Sequence, residues 1–409
     1  MVQIDKIIPG GQALATLENG KKAFFWNALP GEVIESYEVI KEKSHFVEAI
    51  ATKINHPSEF RVKPKDTCFL STSPWQIIDW SYENQLKAEL VVEIFREHQI
   101  ALDIPEVITD NKSYHYRNKM EYSLYYNHDT AKIELAFHAR GSHRKIPIIS
   151  SSIERPEIFT AASKIVDDLN ARHEEARKYQ SLLLRCNQKG EISGGLYENK
   201  KPHPKFNNLT DTILDQEYSY SPNGFFQINL PVYELALKEI KHHVATDQVL
   251  DLYAGVGTIG LSVARNRHLT LAEVDKAAFV EMAKNCEQAF FERIRSYDEG
   301  ERADPVTTGV GDAPQEKRPV AILSESEKAL KYISSEQTVI LDPPRAGCDR
   351  KLIDKLNEVR PQTIIYLSCN PATQARDIKL LLDNYKIKEA KTFNFFPRTP
   401  HIENLVVLC

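Results

Sequence analysis

Apolar residues occur in short runs near the start of the chain, and turn residues separate these runs. Two of the runs cover Lys22–Trp26 and residues 32–40, with turn signals at Pro-Gly-Gly (9–11), Asn-Gly (19–20) and Pro-Gly (30–31). Brief apolar runs between glycine- and proline-containing turns are typical of β-strands, and closely spaced turns favour a small barrel. Residues 1–56 are therefore predicted to form a small all-β domain.

A second pattern marks a helix, because its apolar residues lie three and four positions apart. Between residues 81 and 100, one helix face collects Leu86, Leu90, Val91, Ile94 and Phe95. Residues 110–215 mix β-rich stretches with a further helical stretch around residues 163–179. We therefore expect a mixed α+β central domain over residues 57–215, whose helix at about 81–101 packs on the domain that follows.

From about residue 216 the pattern changes to apolar strands that alternate with helical segments. The candidates for buried strands cover residues 249–253, 269–273, 339–342 and 363–367. This alternation favours a parallel sheet with helices on both faces. Residues 216–409 are therefore predicted to form a doubly wound α/β domain. Ligands of such sheets bind outside the carboxyl ends of the strands.

Length and composition agree with a multidomain globular protein. The 409 residues exceed what one hydrophobic core usually supports, and the chain is 42% hydrophobic and 27% charged. No apolar stretch reaches membrane-spanning length, and no secretory signal is expected. The 6 cysteines include no CxxC pair, which argues against a disulfide framework or a zinc site and favours a cytoplasmic location. A net charge of -5 neither indicates nor excludes nucleic acid.

A glycine-rich turn follows the first strand of the α/β domain. Gly255, Gly257 and Gly260 fit G-x-G-x-x-G, which allows the backbone to approach a ligand closely. Glu273 ends the next apolar run, where an acid that binds ribose is expected. The glycine pattern alone fits either a dinucleotide or S-adenosylmethionine. An acid before the turn, Asp251, favours S-adenosylmethionine.

Three further motifs carry chemistry. Cys369 lies in Leu-Ser-Cys-Asn-Pro, directly after the strand at 363–367, and Asp342 begins Asp-Pro-Pro-Arg at the end of another strand. Glu403 closes Thr-Pro-His-Ile-Glu near the chain end. Downstream of the glycine turn, and in this order, these motifs resemble the RNA (uracil-5-)methyltransferases. The resemblance covers nearly all 409 residues and is most specific from about residue 216.

The resemblance implies a class I, Rossmann-like methyltransferase domain that ends in a β-hairpin, behind an N-terminal TRAM-like, OB-like RNA-binding domain over residues 1–56. It implies that Cys369 adds to carbon 6 of uracil as the nucleophile. Glu403 would remove the proton from carbon 5 as the general base. It further implies that S-adenosylmethionine is bound by Gln227, Tyr253, Thr258, Glu273, Asp312 and Asp342. No metal is expected.

Each of these residues also has a purely structural alternative. Cys369 could be a buried thiol in the core, and Glu403 an exposed strand acid. Gln227 and Asp312 could serve only in turns, and Tyr253 could simply pack in the core. Arg345, next to Asp-Pro-Pro, could contact phosphate or cap a helix, and the sequence does not decide between these roles.

Structured RNA is the expected partner, and no obligate protein partner is inferred. Residues 112–145 combine basic and aromatic side chains, which bind phosphates and stack on unpaired bases. The set comprises Lys112, Arg117, Lys119, Lys132, Arg140, Arg144, Lys145, Tyr114, Tyr116, Tyr122, Tyr125 and Tyr126. The alternative is an ordinary solvated β-surface with half-buried tyrosines. The TRAM-like domain favours ribosomal RNA over transfer RNA by analogy.

The chain departs from many relatives in its cysteines. Those relatives bind an iron–sulfur cluster through four cysteines, whereas only Cys68 stands in the corresponding segment here, with Thr72 and Trp75 at other cluster positions. A cluster needs its thiolates, so none is predicted. Two other functions stay open at this point: an RNA-binding or chaperone protein without catalysis, and a methyltransferase acting on an exocyclic amine or a protein amide.

Overall fold

A computed structural model describes residues 1–103, 107–203, 206–300, 317–325 and 328–409. The backbone divides into two compact units. The first contains Met1–Glu97, Ala101–Asn207 and Thr392–Ile402, and the second contains His98–Ile100, Asn208–Lys391 and Glu403–Cys409. The three-domain division drawn from the sequence stays a prediction. Among the described residues, no helix has the length and apolar character needed to cross a membrane.

The first unit opens with a six-stranded sheet, so the N-terminal region is rich in strands, as the turn pattern predicts. Its strands are β1 (Val2–Gln3), β2 (Lys6–Ile7), β3 (Ala13–Thr16), β4 (Lys22–Trp26), β5 (Val33–Glu42) and β6 (Phe46–His56). They lie in the order β1-β5-β6-β4-β3-β2, with β4 and β6 parallel. Alternate residues of β3 and β4, including Ala13, Ala15 and Phe25, are buried, as expected for a sheet with one face on a core.

The middle of the chain supplies helices and a second sheet. Its elements are α1 (Phe69–Thr72), α2 (Trp80–Glu97), β7 (Val107–Ile108), β8 (Lys119–Asn127), β9 (Lys132–His138), β10 (Lys145–Pro147), α3 (Pro156–Ala171), β11 (Ser181–Cys186), β12 (Ile192–Glu198) and β13 (Lys201–His203), with short 3-10 turns at Pro74–Ile77 and Ala176–Lys178. The sheet order is β10-β9-β8-β11-β12-β13. The apolar stripe predicted for α2 is buried, which confirms that helix.

The helix predicted around residues 163–179 begins earlier and ends earlier than the sequence pattern suggests. It runs over Pro156–Ala171, because Pro156 suits the first turn of a helix, where its missing N–H costs nothing. Ile158, Ala162, Val166 and Leu169 are its buried residues, and they belong to one apolar cluster with strands β8, β9 and β11.

The second unit is a doubly wound α/β domain, as predicted. Its elements are β14 (Leu209–Ile213), β15 (Gln216–Tyr220), α4 (Leu230–His243), β16 (Gln248–Leu252), α5 (Thr258–Ala264), β17 (His268–Glu273), α6 (Lys276–Gly300), β18 (Val320–Leu323), β19 (Gln337–Leu341), α7 (Arg350–Val359), β20 (Thr363–Ser368), α8 (Pro371–Lys379), β21 (Ile387–Phe393) and β22 (Glu403–Leu408). A 3-10 turn covers Ala329–Tyr332. The last residues of β21, from Thr392, belong to the first unit, where they pair with β7.

The main sheet of this unit has the order β18-β17-β16-β19-β20-β22-β21. Strands β18, β17, β16, β19 and β20 run parallel, and β22 runs antiparallel to β20. Every residue of β19, β20 and β22 is buried, which explains their nearly continuous apolar sequences. The two terminal strands confirm the hairpin that the resemblance implies.

The register of this sheet brings several strand ends to one edge. Leu252 pairs with Leu341, and Leu341 pairs with Tyr366, so β16, β19 and β20 end close to one level. Strand β22 begins at the same edge, because Ser368 at the end of β20 pairs with Asn404. Residues that follow the parallel strands therefore meet the first residue of β22.

Candidate active site

Cys369 and Glu403 meet at the edge where β20 ends and β22 begins. The last ladder pair joins Ser368 to Asn404, and the residues next to this pair are Cys369, which directly follows β20, and Glu403, which begins β22. Residues opposite each other on antiparallel strands point to the same face of the sheet. Glu403 is only 4% exposed, whereas Cys369 is half-buried. A thiol and a carboxylate from distant parts of the sequence thus share one surface.

Exposure separates Cys369 from the other cysteines. Cys68, Cys186, Cys286 and Cys348 are buried, and Cys409 at the chain end is exposed. All six are free thiols. The intermediate exposure of Cys369, in a polar loop, argues against the alternative that it is a buried structural thiol.

Asp342 lies close enough to Cys369 and Glu403 to raise the pKa values of both groups. Burial raises the pKa of Asp342 to about 7. Burial and the nearby Asp342 together raise the pKa of Glu403 well above its usual range. Burial raises the pKa of the Cys369 thiol to about 11, with further contributions from Glu403 and Asp342. Three acidic groups therefore share one site of low dielectric, and they disfavour one another's ionised forms.

Arg345 supplies the opposing charge. Its guanidinium lies close enough to the sulfur of Cys369 to lower the pKa of that thiol, and it also lowers the pKa of Glu403. Neighbouring residues hold its backbone: the Asn370 side chain donates to the Arg345 carbonyl oxygen at 2.8 Å, and the Thr373 hydroxyl donates at 3.2 Å. The sequence left Arg345 undecided, and the structure places it at the nucleophile. Its position within Asp-Pro-Pro-Arg was the available signal.

The glycine turn after β16 is built around two acids. One oxygen of Asp251 accepts the Gly260 N–H at 2.8 Å, and the other oxygen is buried without a hydrogen-bond partner in the described chain. A Cβ atom at residue 260 would lie 2.8 Å from the Asp251 oxygen that accepts the Gly260 N–H, so only glycine allows this approach. Burial raises the pKa of Asp251 to about 8. A buried carboxylate with a spare oxygen is suited to a ligand with a donor or a positive charge.

Glu273 holds the other side of the turn. Its carboxylate accepts the Gly255 N–H at 2.8 Å and the N–H groups of Val274 and Asp275 at 2.8 and 2.7 Å. These bonds fix the carboxylate at the carboxyl end of β17, next to the glycine turn. This is the position at which a ribose diol is expected to bind an acid.

Tyr253 and Thr258 border the same turn. Tyr253 has a φ of 65°, a left-handed conformation that is uncommon for an aromatic residue and is often found at functional sites. Its side chain lies close enough to Cys348 to lower the pKa of that thiol, against the larger effect of burial. Thr258 is 6% exposed and begins α5. The strained backbone of Tyr253 argues against simple core packing.

Gln227 lies in the loop before α4 and is 8% exposed. The neighbouring Phe226 stacks on Tyr220, with ring centroids 3.8 Å apart, and so fixes this loop. Phe225 is 77% exposed, which is unusual for a large aromatic residue and was not singled out from the sequence. Asp312, the remaining predicted cofactor residue, lies outside the described residues.

The basic and aromatic segment predicted to bind RNA is only partly available for binding. Tyr116 and Tyr122 are buried, and their hydroxyl groups donate to the Pro397 carbonyl and to Glu154. The side chain of Lys145 donates to a main-chain carbonyl, and Arg140 lies over the ring of Trp26. The exposed members of the set are Lys112, Tyr126, Lys132 and Arg144. Sequence alone could not separate core tyrosines from surface tyrosines on alternating strands.

The segment that contains Cys68 and Trp75 is held by apolar contacts and hydrogen bonds. Cys68 belongs to an apolar cluster that also contains Cys186. Trp75 is 2% exposed, and its indole N–H donates to the Gly11 carbonyl at 3.0 Å. Asp66 accepts hydrogen bonds from Gln76 and from the Ser152 hydroxyl, both at 2.7 Å. The absence of an iron–sulfur cluster stays a prediction.

Comparison with known proteins gives three matches that agree with this geometry. Residues 207–409 match the family described as tRNA (uracil-5-)-methyltransferase. A Lactobacillus johnsonii protein described as an uncharacterized RNA methyltransferase is 27% identical, over 95% of this chain and 94% of the relative. A Staphylococcus aureus protein with the same description is 29% identical, over 94% of this chain and 92% of the relative.

A solved structure shares the fold along the whole chain. The crystal structure of Pyrococcus abyssi tRNA (uracil-54, C5)-methyltransferase in complex with S-adenosyl-L-homocysteine has a TM-score of 0.72 to this chain. The match covers 100% of this chain and 99% of the other, at 21% sequence identity. The Rossmann-like methyltransferase fold expected from the sequence is thereby confirmed.

Proposed function

This chain belongs to the RNA (uracil-5-)methyltransferase family, and we propose that it methylates carbon 5 of a uridine in structured RNA through a covalent bond to Cys369. The observation that carries the proposal is the strand register that sets Cys369 opposite Glu403, beside Asp342. A nucleophile and a base on one face are what the reaction at a ring carbon requires. Methylation of an exocyclic amine would need neither residue.

The reaction has two halves. The thiolate of Cys369 adds to carbon 6 of uracil, and the electrons of the 5,6 double bond move to give an enolate at oxygen 4. Carbon 5 then takes the methyl group as its bond to sulfur in the donor breaks. Glu403 removes the proton left on carbon 5, the double bond re-forms, and the carbon–sulfur bond to Cys369 breaks. The enzyme returns to its starting state once Glu403 loses that proton to solvent.

S-adenosylmethionine is the cofactor, and it supplies a methyl group on a positively charged sulfonium. The residues around the glycine turn fit such a molecule. Glu273 presents a fixed carboxylate for ribose hydroxyl groups, and Asp251 has a buried oxygen with no partner in the described chain. We propose that Gln227, Tyr253, Thr258 and Asp342 complete the binding site, together with Asp312. A positive charge beside Asp251 and Asp342 favours the ionised forms of both carboxyl groups.

Arg345 would act on the first half of the reaction. The thiol of Cys369 has its pKa raised to about 11 by burial and neighbouring acids, so the thiolate is scarce at neutral pH. A guanidinium beside the sulfur stabilises the thiolate and offsets part of that cost. Arg345 thus has a catalytic role in this proposal, although the sequence alone did not assign it one.

The target uridine must leave its stack, because the ring face has to meet Cys369. Exposed Phe225 and the exposed basic residues of segment 112–145 are suitable contacts for unpaired RNA. Ribosomal RNA remains our proposed acceptor on the analogy of the strand-rich N-terminal region, while the solved relative is described as acting on tRNA. We further propose a cytoplasmic location, which fits six free thiols.

The test uses RNA that carries 5-fluorouridine. Fluorine at carbon 5 cannot be removed as a proton, so the reaction should stop at a methylated adduct on Cys369. We expect labelled S-adenosylmethionine and transcripts of ribosomal and transfer RNA that carry 5-fluorouridine to give a shifted band on a denaturing gel. Cys369→Ala should abolish it and reduce methylation of ordinary RNA by ~10⁴-fold or more, on the scale of losing a covalent nucleophile.

The matched control is Cys409→Ala, which removes an exposed thiol outside the proposed mechanism. It should leave the adduct in place. An active protein that forms no adduct, or methylation that persists in Cys369→Ala, would contradict the covalent mechanism and favour an exocyclic amine or a protein amide. An RNA that binds without being methylated under any condition would favour a non-catalytic RNA-binding protein. The RNA class that is labelled decides between the two acceptors.

A further inference from the structure

A buried glutamine joins the strand that carries Cys369 to the strand that carries Glu403. Gln374 lies on α8, the helix that starts two residues after Cys369, and it is 0% exposed. Its amide nitrogen donates to the Tyr366 carbonyl on β20 at 2.8 Å and to the Asn404 carbonyl on β22 at 3.0 Å. The Asn404 side chain donates back to the amide oxygen of Gln374 at 2.8 Å.

These bonds use both hydrogens and the oxygen of the Gln374 amide. A buried polar side chain costs free energy unless it is hydrogen-bonded, so this arrangement holds its partners firmly in place. Both backbone partners lie beside the reaction centre. Asn404 directly follows Glu403, and Tyr366 lies three residues before Cys369. The amide therefore fixes the end of one strand against the start of the other.

The rest of α8 fixes the other side of the thiol. Asn370 and Thr373 hold the backbone of Arg345, and the buried Asp377 accepts the Cys348 N–H at 2.8 Å and the Tyr366 hydroxyl at 2.9 Å. The helix α8 and its N-cap residue thus contact the loop that carries Arg345, the strand β20 before Cys369 and the strand β22 that begins with Glu403. Within α8, Gln374 is the residue whose side chain reaches β22.

We propose that Gln374 is a positioning residue, which sets the Glu403 carboxylate at the distance needed to take the proton from carbon 5. This inference rests on the proposed function. Without Gln374, Asp377 still accepts from Tyr366 on the strand before Cys369, and Asn370 and Thr373 still hold Arg345, so the first half of the reaction should stay intact. The second half should slow, because Glu403 would no longer be held against the adduct.

The distinguishing readout is the covalent intermediate on ordinary uridine. The principal variant is Gln374→Met, which keeps the length of the side chain and removes both donors. Gln374→Glu, which retains an acceptor for the Asn404 amide, is the second variant if the first does not fold. The control is Asn357→Leu, which removes a side-chain amide that donates to Leu380 at 2.8 Å, away from Cys369 and Glu403.

Each protein is given labelled S-adenosylmethionine with transcripts of transfer RNA and ribosomal RNA, with either uridine or 5-fluorouridine. In Gln374→Met we expect trapping by 5-fluorouridine RNA at the wild-type rate. Turnover on ordinary RNA should fall by about ten- to hundred-fold, the scale of a displaced catalytic group. Methylated RNA should remain bound to the protein on a denaturing gel. Asn357→Leu should turn over as the wild type does.

The outcomes separate the two proposals. Equal slowing of trapping and turnover, or unchanged turnover without a stable adduct, in every folded Gln374 variant would overturn the positioning role and leave the proposed function standing. Failure of the wild-type protein to trap 5-fluorouridine RNA while it methylates RNA would overturn both.

Discussion

Both units contain acidic side chains that are largely withdrawn from solvent, and the two groups differ in whether salt bridges neutralise them. In the first unit, Glu83 is 0% exposed, and its neighbours Lys87 and Arg398 carry the opposite charge. In the second unit, Asp342 and Glu403 share a site with the Cys369 thiol. Within the described residues, neither of these two carboxylates forms a salt bridge. The Glu83 site is therefore called the compensated site, because cations neutralise its buried acid. The site of Asp342 and Glu403 is called the uncompensated site, because no salt bridge within the described residues neutralises its acids.

The compensated site has the features of a structural core. The Lys87 ammonium lies 3.1 Å from Glu83 and donates to Asn394 at 2.6 Å, and the Arg398 N–H donates to Glu83 at 2.9 Å. Most of the polar groups of this site have a partner within the site. Burial lowers the pKa of Lys87 to about 8, while Glu83 opposes that change. Such networks define a geometry and leave little free capacity for a ligand.

The uncompensated site has free capacity instead. Asp342 contributes to the raised pKa of Glu403, and both carboxyl groups contribute to that of Cys369. The one nearby cation, among the described residues, is the exposed Arg345. Strongly shifted pKa values without structural pairing are typical of catalytic and ligand-binding sites. The difference teaches that burial of charge does not by itself mark a function. A functional site is indicated when a buried acid has no salt bridge within the fold.

The largest expected effect comes from the base on the uncompensated side. Glu403→Gln keeps the size of the side chain but cannot accept the proton, so turnover should fall by about 10²- to 10⁴-fold, the usual contribution of a general base. Methylated RNA should accumulate on Cys369 with ordinary uridine, visible on a denaturing gel. The exposed Glu358→Gln is the control and should turn over normally. Free methylated RNA released at the wild-type rate by Glu403→Gln would argue against this base.

A smaller effect is expected when the compensated site is broken. Lys87→Met leaves Glu83 buried with one cation fewer, and loss of one partner from a buried ion pair typically costs about 3–5 kcal/mol. Urea denaturation should therefore show a lower free energy of unfolding. Arg172→Met removes half of an exposed pair with Asp168 and should cost at most about 1 kcal/mol. Equal losses in the two variants would show that the Glu83 site is not a structural network.

The smallest effect follows from the raised pKa of Asp342. Here the substitution should increase the free energy of unfolding rather than lower it. The folded state holds a proton on Asp342 up to about pH 7, whereas the unfolded state loses it near its ordinary pKa, so stability falls as pH rises between these values. Asp342→Asn removes this cost. It should stabilise the protein by about 2 kcal/mol at about pH 8, with no gain near pH 4, as measured by urea denaturation.

Asp377→Asn is the matched control for that measurement. Asp377 lies in the same unit and is buried, but it accepts from Cys348, Tyr366 and Arg376. Its replacement should destabilise the protein by about 1–3 kcal/mol, because a buried donor loses its acceptor. A loss of stability in both variants at about pH 8 would show that Asp342 is compensated in the folded protein.

The sequence predicted the elements whose pattern is set locally. The apolar stripe of α2, the alternating strands of the second unit and the glycine turn follow from spacing and turn chemistry. Cys369 and Asp342 could be placed together, because strand ends of a parallel sheet meet at one edge. That Glu403 lies directly opposite Cys369 depends on the register of an antiparallel strand, which the sequence does not contain.

Other parts of the site depend on contacts between distant segments. Gln374 reads as an ordinary polar helix residue, and only the crossing of α8 over two strands makes it a bridge. The tyrosines of segment 112–145 share one composition, yet Tyr122 lies in the core and Tyr126 is 42% exposed. The helical stretch around residues 163–179 was displaced because the proline that starts it carries no apolar signal.

The path of the chain near its end has a consequence for the order of synthesis. After Lys391 the chain leaves the second unit, contributes Thr392–Ile402 to the first, and returns at Glu403. In the first unit, the Arg398 carbonyl accepts the Trp75 N–H at 3.0 Å. On the ribosome, most of both units emerges before residues 392–403 appear. Under the proposed function the base therefore follows most of both units in the order of synthesis, so a nascent chain that has not yet reached Glu403 could bind RNA but could not complete the reaction.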